Sequence, residues 1–393
     1  MMTIIDILIY VSFAFFASHL AKKSENYIEE NCIDPTIWDK YLTYFVLFFT
    51  IIGGIRWFVG SDFISYATGF AYKPINFESN EKLWAYLIYT FQSLGMHWAF
   101  GLALCMFIQI YFITKTLQPY RWLLVFLPFV FFGGRYWMDC TSAIRQMIVA
   151  CVFLWASRFI VEKKMLYYIA VIVVGSLIHH SALILLPLYL IPNRIDLTNK
   201  RWLLLFILIG SIALGQISAL SGLSSYIKII ADTTNYNNYG GLMSTRLLNG
   251  YNDETLSFGP MMLSYMFLPI FIIWYGPELK KKYANHIHYF DLWFNLAFFY
   301  ACAYFLLCNM GHLFIRPVMY FSLFQMILGT LLLRHLWTEY KLYGYRIIAT
   351  ISFCCIVATN TCWNICKVSG RPFEYITYKV SFLHKDEQKW FKL

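Results

Sequence analysis

A chain of 393 residues that is 60% hydrophobic, 20% aromatic and only 13% charged carries more apolar surface than a water-soluble domain can hide. Its formal charge of +10 does not point to nucleic acid, because Lys and Arg stand in small groups between apolar runs, as membrane topology requires. The ten cysteines include no CxxC pair and mostly lie inside apolar runs, so they read as small buried hydrophobes rather than a disulfide or metal framework.

A membrane span needs about 20 apolar residues. The first run, Met1 to Ala21, lacks a basic leader and a clear cleavage site, so it reads as a retained helix over 2–21. Further spans are expected near 41–58, 96–114, 121–134, 143–161, 200–217, 259–276, 288–308, 313–334 and 346–363. Residues 59–95 mix aromatic and acidic residues and read as interfacial helices. The segment 218–258 is polar, rich in Ser, Asn and Gly, and reads as a long external loop; 364–393 reads as an interfacial tail. No linker divides the chain, so 1–393 is read as a single integral domain. The fold class is therefore all-α, a polytopic transmembrane helix bundle with about 11–12 membrane passages.

The segment 165–191 is too long for one ordinary span and contains Gly175, His179, His180 and Pro187. A broken helix near His179 and His180 places 17 basic residues on one face of the membrane and 8 on the other, leaving the tail aside. An uninterrupted helix gives 11 against 14. The positive-inside rule prefers the broken form, with the less basic face outside the cytoplasm. The tail bears six further basic residues on that outer face, against the rule.

In this topology Arg56, Arg135, Arg145, His180, His312 and Arg316 come from separate spans yet reach the same outer interface. Charge within a membrane is expensive, so several arginines converging on one face define a site for anions, whereas one alone reads as an anchor. Arg145, followed by Gln146 at the start of a span, offers a forked guanidinium suited to phosphate oxygens. His180 sits at the expected helix break and suits proton transfer; His179 reads as a cap or a headgroup contact. Asp62 and Tyr66 share a helical face. No HExxH, Walker string or spaced Cys/His set is present, so neither a metal nor another cofactor is expected.

The strings Arg56–Gly60–Asp62–Tyr66, then Glu81, then Ile144–Arg145–Gln146, then His180–Ser181–Ala182–Leu183 resemble the EpsG family of bacterial membrane proteins. The likeness covers most of 40–192, with fainter echoes around Arg316 and in the tail's FEYITYKVSF. The resemblance implies a Wzy-like polysaccharide polymerase, a glycosyltransferase that moves a growing glycan from undecaprenyl diphosphate onto the sugar of another lipid-linked repeat. It also implies a bacterial inner (cytoplasmic) membrane location with the active site facing the periplasm or exterior. The lipid-linked oligosaccharide donor and acceptor are then its substrates, and a flippase and a chain-length regulator are candidate partners. Under that reading Asp62, His180 and Glu81 are the catalytic candidates, while Arg56, Tyr66, Arg135, Arg145, Gln146 and Arg316 bind substrate. The principal alternative is a transporter or flippase of lipid-linked oligosaccharide, which would also use basic residues and broken helices.

Overall fold

The structure, a computed structural model, describes residues 4–191, 195–216, 260–310, 312–339, 347, 351 and 378–380. The expected loop 218–258, all but two residues of the expected span 346–363 and most of the tail lie outside the described residues. The first helices are α1 (Ile4–Glu30), α2 (Lys40–Gly54), α3 (Phe63–Ala71), α4 (Lys82–Ser93) and α5 (Trp98–Leu117). They are followed by α6 (Arg121–Leu124), α7 (Leu127–Gly133), α8 (Tyr136–Ser142), α9 (Ile144–Val161) and α10 (Met165–Ser176). The remainder are α11 (Arg201–Gln216), α12 (Pro260–Tyr283), α13 (Phe290–Leu307), α14 (His312–Met319) and α15 (Ser322–Glu339). The chain is an all-α polytopic bundle. Among the described residues, Trp98–Leu124, Ile144–Val161, Thr198–Gln216 and Phe290–Leu307 are long and apolar enough to cross a membrane.

The long spans arrange themselves by burial. The apolar stretch of α9 is 72% buried and lies between α5 and α10, whereas that of α11 is only 28% buried and packs on α13 at the periphery. α2 meets α5 through Gly53 and Gly54, where an added Cβ would stand 2.5 Å from Met106 Cγ and 2.7 Å from Ala103 Cβ. Small residues permit this approach where packing, rather than hydrophobic exclusion, holds helices together. A second, aromatic core of Trp57, Phe63, Phe70, Trp84 and Trp98 ties the short helices α3 and α4 to α5.

The segment 165–191 is broken as expected: α10 ends at Ser176, and a 3₁₀ helix runs from His180 to Leu190. The two pieces fold back on each other, since Tyr168 Oη donates to the Leu185 carbonyl at 2.6 Å and the Tyr168 and Tyr189 rings lie 5.6 Å apart. Two other expected spans are also interrupted. The run 121–134 divides into α6 and α7, with Pro128 in the first turn of α7. The run 313–334 divides at Tyr320 and Phe321, just beyond Pro317, whose ring cannot donate to the helix ladder.

The polar loops gather at two ends. At one end Arg121 pairs with Asp39 at 3.1 Å, and Lys280 bridges Asp196 and Asp291 at 3.2 and 2.7 Å. The loops joined there are among those expected on the basic face. At the other end meet the residues that follow α2, precede α4 and α9, and link α10 to its 3₁₀ partner. The tail reaches this second end as well. Lys379–Val380 forms an antiparallel two-residue pairing with Arg56–Trp57, and Tyr378 Oη donates to the Ile52 carbonyl at 2.8 Å.

Candidate functional site

Helix breaks at this end strand backbone groups that a bilayer cannot satisfy, and polar groups, some local and some from distant segments, pair with them. The turn after α2 is held by Arg56, only 1% exposed, whose Nε donates to the Val59 carbonyl at 3.2 Å. Its Nη1 donates to the Gly53 carbonyl and its Nη2 to that of Thr141 at 3.5 Å. Gly60 lets this loop lie flat on α8: its φ is +96°, and a Cβ there would meet the Thr141 carbonyl oxygen at 2.6 Å. The break between α8 and α9 is served by Gln109, whose Nε2 donates to the Cys140 and Ile144 carbonyls at 3.2 and 3.3 Å. Gln146 does the same for α14, donating from Nε2 to the Arg316 carbonyl.

The break after α10 has the richest chemistry. The backbone N–H groups of Leu83 and Trp84, at the start of α4, donate to the Leu177 carbonyl at 3.0 and 3.2 Å. This docking carries Glu81 to the break. Its Oε1 accepts from the His180 backbone N–H at 3.2 Å and lies 2.8 Å from His179 Nδ1, while its Oε2 pairs with Arg145 Nη1. Burial alone would push the Glu81 carboxyl up, but the His179 hydrogen bond and the Arg145 charge outweigh it and hold the group below the ordinary carboxylate value. Glu81 is therefore a fixed anion. It is suited to orienting its neighbours rather than to carrying a proton at neutral pH.

Arg145 opens α9 with a side chain that is 33% exposed. Its guanidinium carbon lies 5.9 Å from the centre of the Trp84 ring, and Tyr66 lies close enough to feel its charge. Tyr66 in turn meets Trp84 edge-on at 5.8 Å. The Ser181 and Tyr320 hydroxyls, 2.7 Å apart, join the 3₁₀ helix to the turn after α14, on which Arg316 is exposed.

The expected site residues thus divide. Glu81, Arg145 and Tyr66 form one cluster with His179, and Gln146 links it to the segment bearing Arg316. His180 contributes its backbone N–H. Asp62 accepts from Ser61 Oγ at 3.3 Å, and Ser61 N donates to Ser142 Oγ at 3.0 Å. Arg135 pairs with Asp139 at 3.1 Å, donates to Tyr304 Oη at 3.1 Å and lies over the Tyr304 ring. Arg56 directs its guanidinium to backbone carbonyls. The side chain of His312 lies outside the described residues. His179, which in sequence reads as a cap or a headgroup contact, is instead a member of the cluster. The only signal for it was its position beside His180 at the expected break.

Breaks repaired by side chains, around an arginine–carboxylate–histidine cluster at one end of an apolar helical bundle with four helices, among the described residues, long and apolar enough to cross a bilayer, belong to a polytopic membrane protein. Residues 39–380 match the model of the EpsG family, and the chain belongs to that family. No curated protein and no solved structure matches it.

Proposed function

We propose that the chain is a polysaccharide polymerase that transfers a growing glycan from a lipid diphosphate to the sugar of another lipid-linked repeat, at the non-cytoplasmic face of the bacterial inner membrane. Membership of the EpsG family supports this reading. The observation that carries it within the molecule is the convergence of Arg145, Glu81 and the His179–His180 turn, with Arg316 exposed on the segment whose backbone Gln146 holds.

The departing lipid diphosphate accumulates negative charge as the anomeric carbon–oxygen bond breaks. A guanidinium held in place beforehand stabilises that charge without reorganising, and a partly dry site strengthens the effect. Glu81 holds Arg145 in place through one arm, and Arg316 supplies a second cation on an adjoining segment. Tyr66, half-buried and backed edge-on by the buried Trp84, offers apolar ring surface beside the charges, the combination that sugar recognition uses. Arg56 and Gln146 serve substrate binding indirectly, by holding the loops on which Asp62 and Arg316 stand.

The test is elongation in liposomes. The purified chain should lengthen an undecaprenyl diphosphate-linked oligosaccharide from its own pathway and release undecaprenyl diphosphate, with no nucleotide supplied. Movement of intact lipid-linked oligosaccharide across the bilayer, with no new glycosidic bond, would establish the transporter reading instead.

A further inference from the structure

We infer that His179, rather than His180 or Asp62, is the general base of this site, with Glu81 as its positioning residue. The inference rests on the polymerase reading above. Two adjacent histidines stand at the same break, and the structure gives them different tasks. His180 presents its backbone N–H to Glu81 Oε1, whereas His179 presents its ring, with Nδ1 2.8 Å from the same oxygen.

A carboxylate accepts but does not donate, so in the neutral ring Nδ1 carries the hydrogen and Nε2 keeps its lone pair. A carboxylate that fixes the tautomer and orientation of an imidazole, and stabilises the imidazolium when it forms, is a recurring device for activating hydroxyl groups. Among the described residues Nε2 has no bonded partner, and the side chain retains 15% exposure. The other oxygen of Glu81 is held by Arg145, so the base and the leaving-group cation are aligned through one shared anion. Among the described residues Asp62 has no such arrangement: its carboxylate accepts from the neighbouring Ser61 hydroxyl.

The step balances. The acceptor sugar hydroxyl gives its proton to His179 Nε2 as its oxygen forms the new bond to the anomeric carbon of the donor. The bond from that carbon to the diphosphate oxygen breaks, and its electron pair leaves with the lipid diphosphate. The imidazolium then returns its proton to water.

His179→Asn separates catalysis from structure, because the asparagine amide places an N–H near the position of imidazole Nδ1 but offers no base at Nε2. In the liposome elongation assay this variant should accumulate normally and bind acceptor with little change in KM, while turnover falls by at least about 100-fold. His179→Gly should regain turnover when imidazole is added. Near-normal turnover in His179→Asn would overturn the assignment, as would loss in His180→Ala with His179→Asn active. Should the variants not accumulate, carbethoxylation of the wild-type protein, mapped by mass spectrometry, decides. Turnover lost in step with modification of His179 supports the inference. Turnover retained at full modification, or lost while His179 stays unmodified, overturns it. Failure of the unmodified wild type to elongate would instead bring down the polymerase reading, before any variant is compared.

Discussion

Two arginines at this end of the bundle, Arg56 and Arg145, should answer the same substitution in opposite ways. Arg56 donates to three backbone carbonyls through three separate nitrogens, in a place where the side chain is 1% exposed. A lysine ammonium reaches one of them. The other two would be left buried without a donor, at about 1–3 kcal/mol each, or about 2–6 kcal/mol together. The bond to the Thr141 carbonyl is long at 3.5 Å, which places the loss in the lower half of that range. Arg56→Lys should therefore lower membrane abundance and shift thermal unfolding in detergent downward by several degrees, read by fluorescence-detected size exclusion. Arg145→Lys, at a side chain 33% exposed and paired with Glu81, should keep abundance and thermal stability. It should nevertheless lose most elongation, because a point charge cannot reproduce forked contacts to a diphosphate. Wild-type abundance and stability for Arg56→Lys with elongation abolished would refute the reasoning and return Arg56 to direct contact with substrate.

The Glu81 carboxyl is held below its ordinary value of 4.5, so its contribution to stability is fully present above that value and is lost as pH falls through the lower folded-state value. The difference in unfolding temperature between wild type and Glu81→Gln should accordingly narrow as the pH is taken below 4.5; a constant difference would show that the ion pairs contribute nothing. Ser61 and Lys281 are both exposed and stand at opposite ends of the bundle. In a background without native cysteines, an impermeant thiol reagent added from outside should label Ser61→Cys and spare Lys281→Cys, and the reverse pattern would invert the orientation.

The broad fold was legible because its determinants are additive along the chain. Run lengths mark the spans, and the balance of Lys and Arg across the loops favoured a break in 165–191 before any contact was known. The interruptions at 125–126 and 320–321 were not resolved. They cost too little apolar length to register, and a proline in an apolar run is compatible with either a kinked or a divided helix. The tail's sequence reads as interfacial, and FEYITYKVSF carries a resemblance rather than a geometry. Its Tyr378 contact to Ile52 spans 326 residues, a relationship that no local pattern encodes.

The site was legible as a neighbourhood and not as a set of roles, and the reason is specific to membranes. Every break in a helix at depth creates unpaired backbone groups and, in the same place, opens room for a substrate. The same residue types are drawn to both needs. Arg56 and Arg145 each follow a glycine-rich or broken segment near the end of a span, and sequence alone assigns both to anions. What separates them is the environment each guanidinium meets: carbonyls that lack donors in one case, a carboxylate at a partly open surface in the other. The histidine pair divides in the same way. Which ring meets Glu81 is decided by the docking of the first α4 amides on the Leu177 carbonyl, and the partners so joined are 98 residues apart. Polar residues at such a site therefore fall into those that repair the breaks, here Arg56, Gln109 and Gln146, and those that occupy the space the breaks create, here Arg145, Glu81 and His179. We expect substitutions in the first group to register in abundance and those in the second in turnover, with Glu81, which also accepts from the His180 backbone N–H, registering in both.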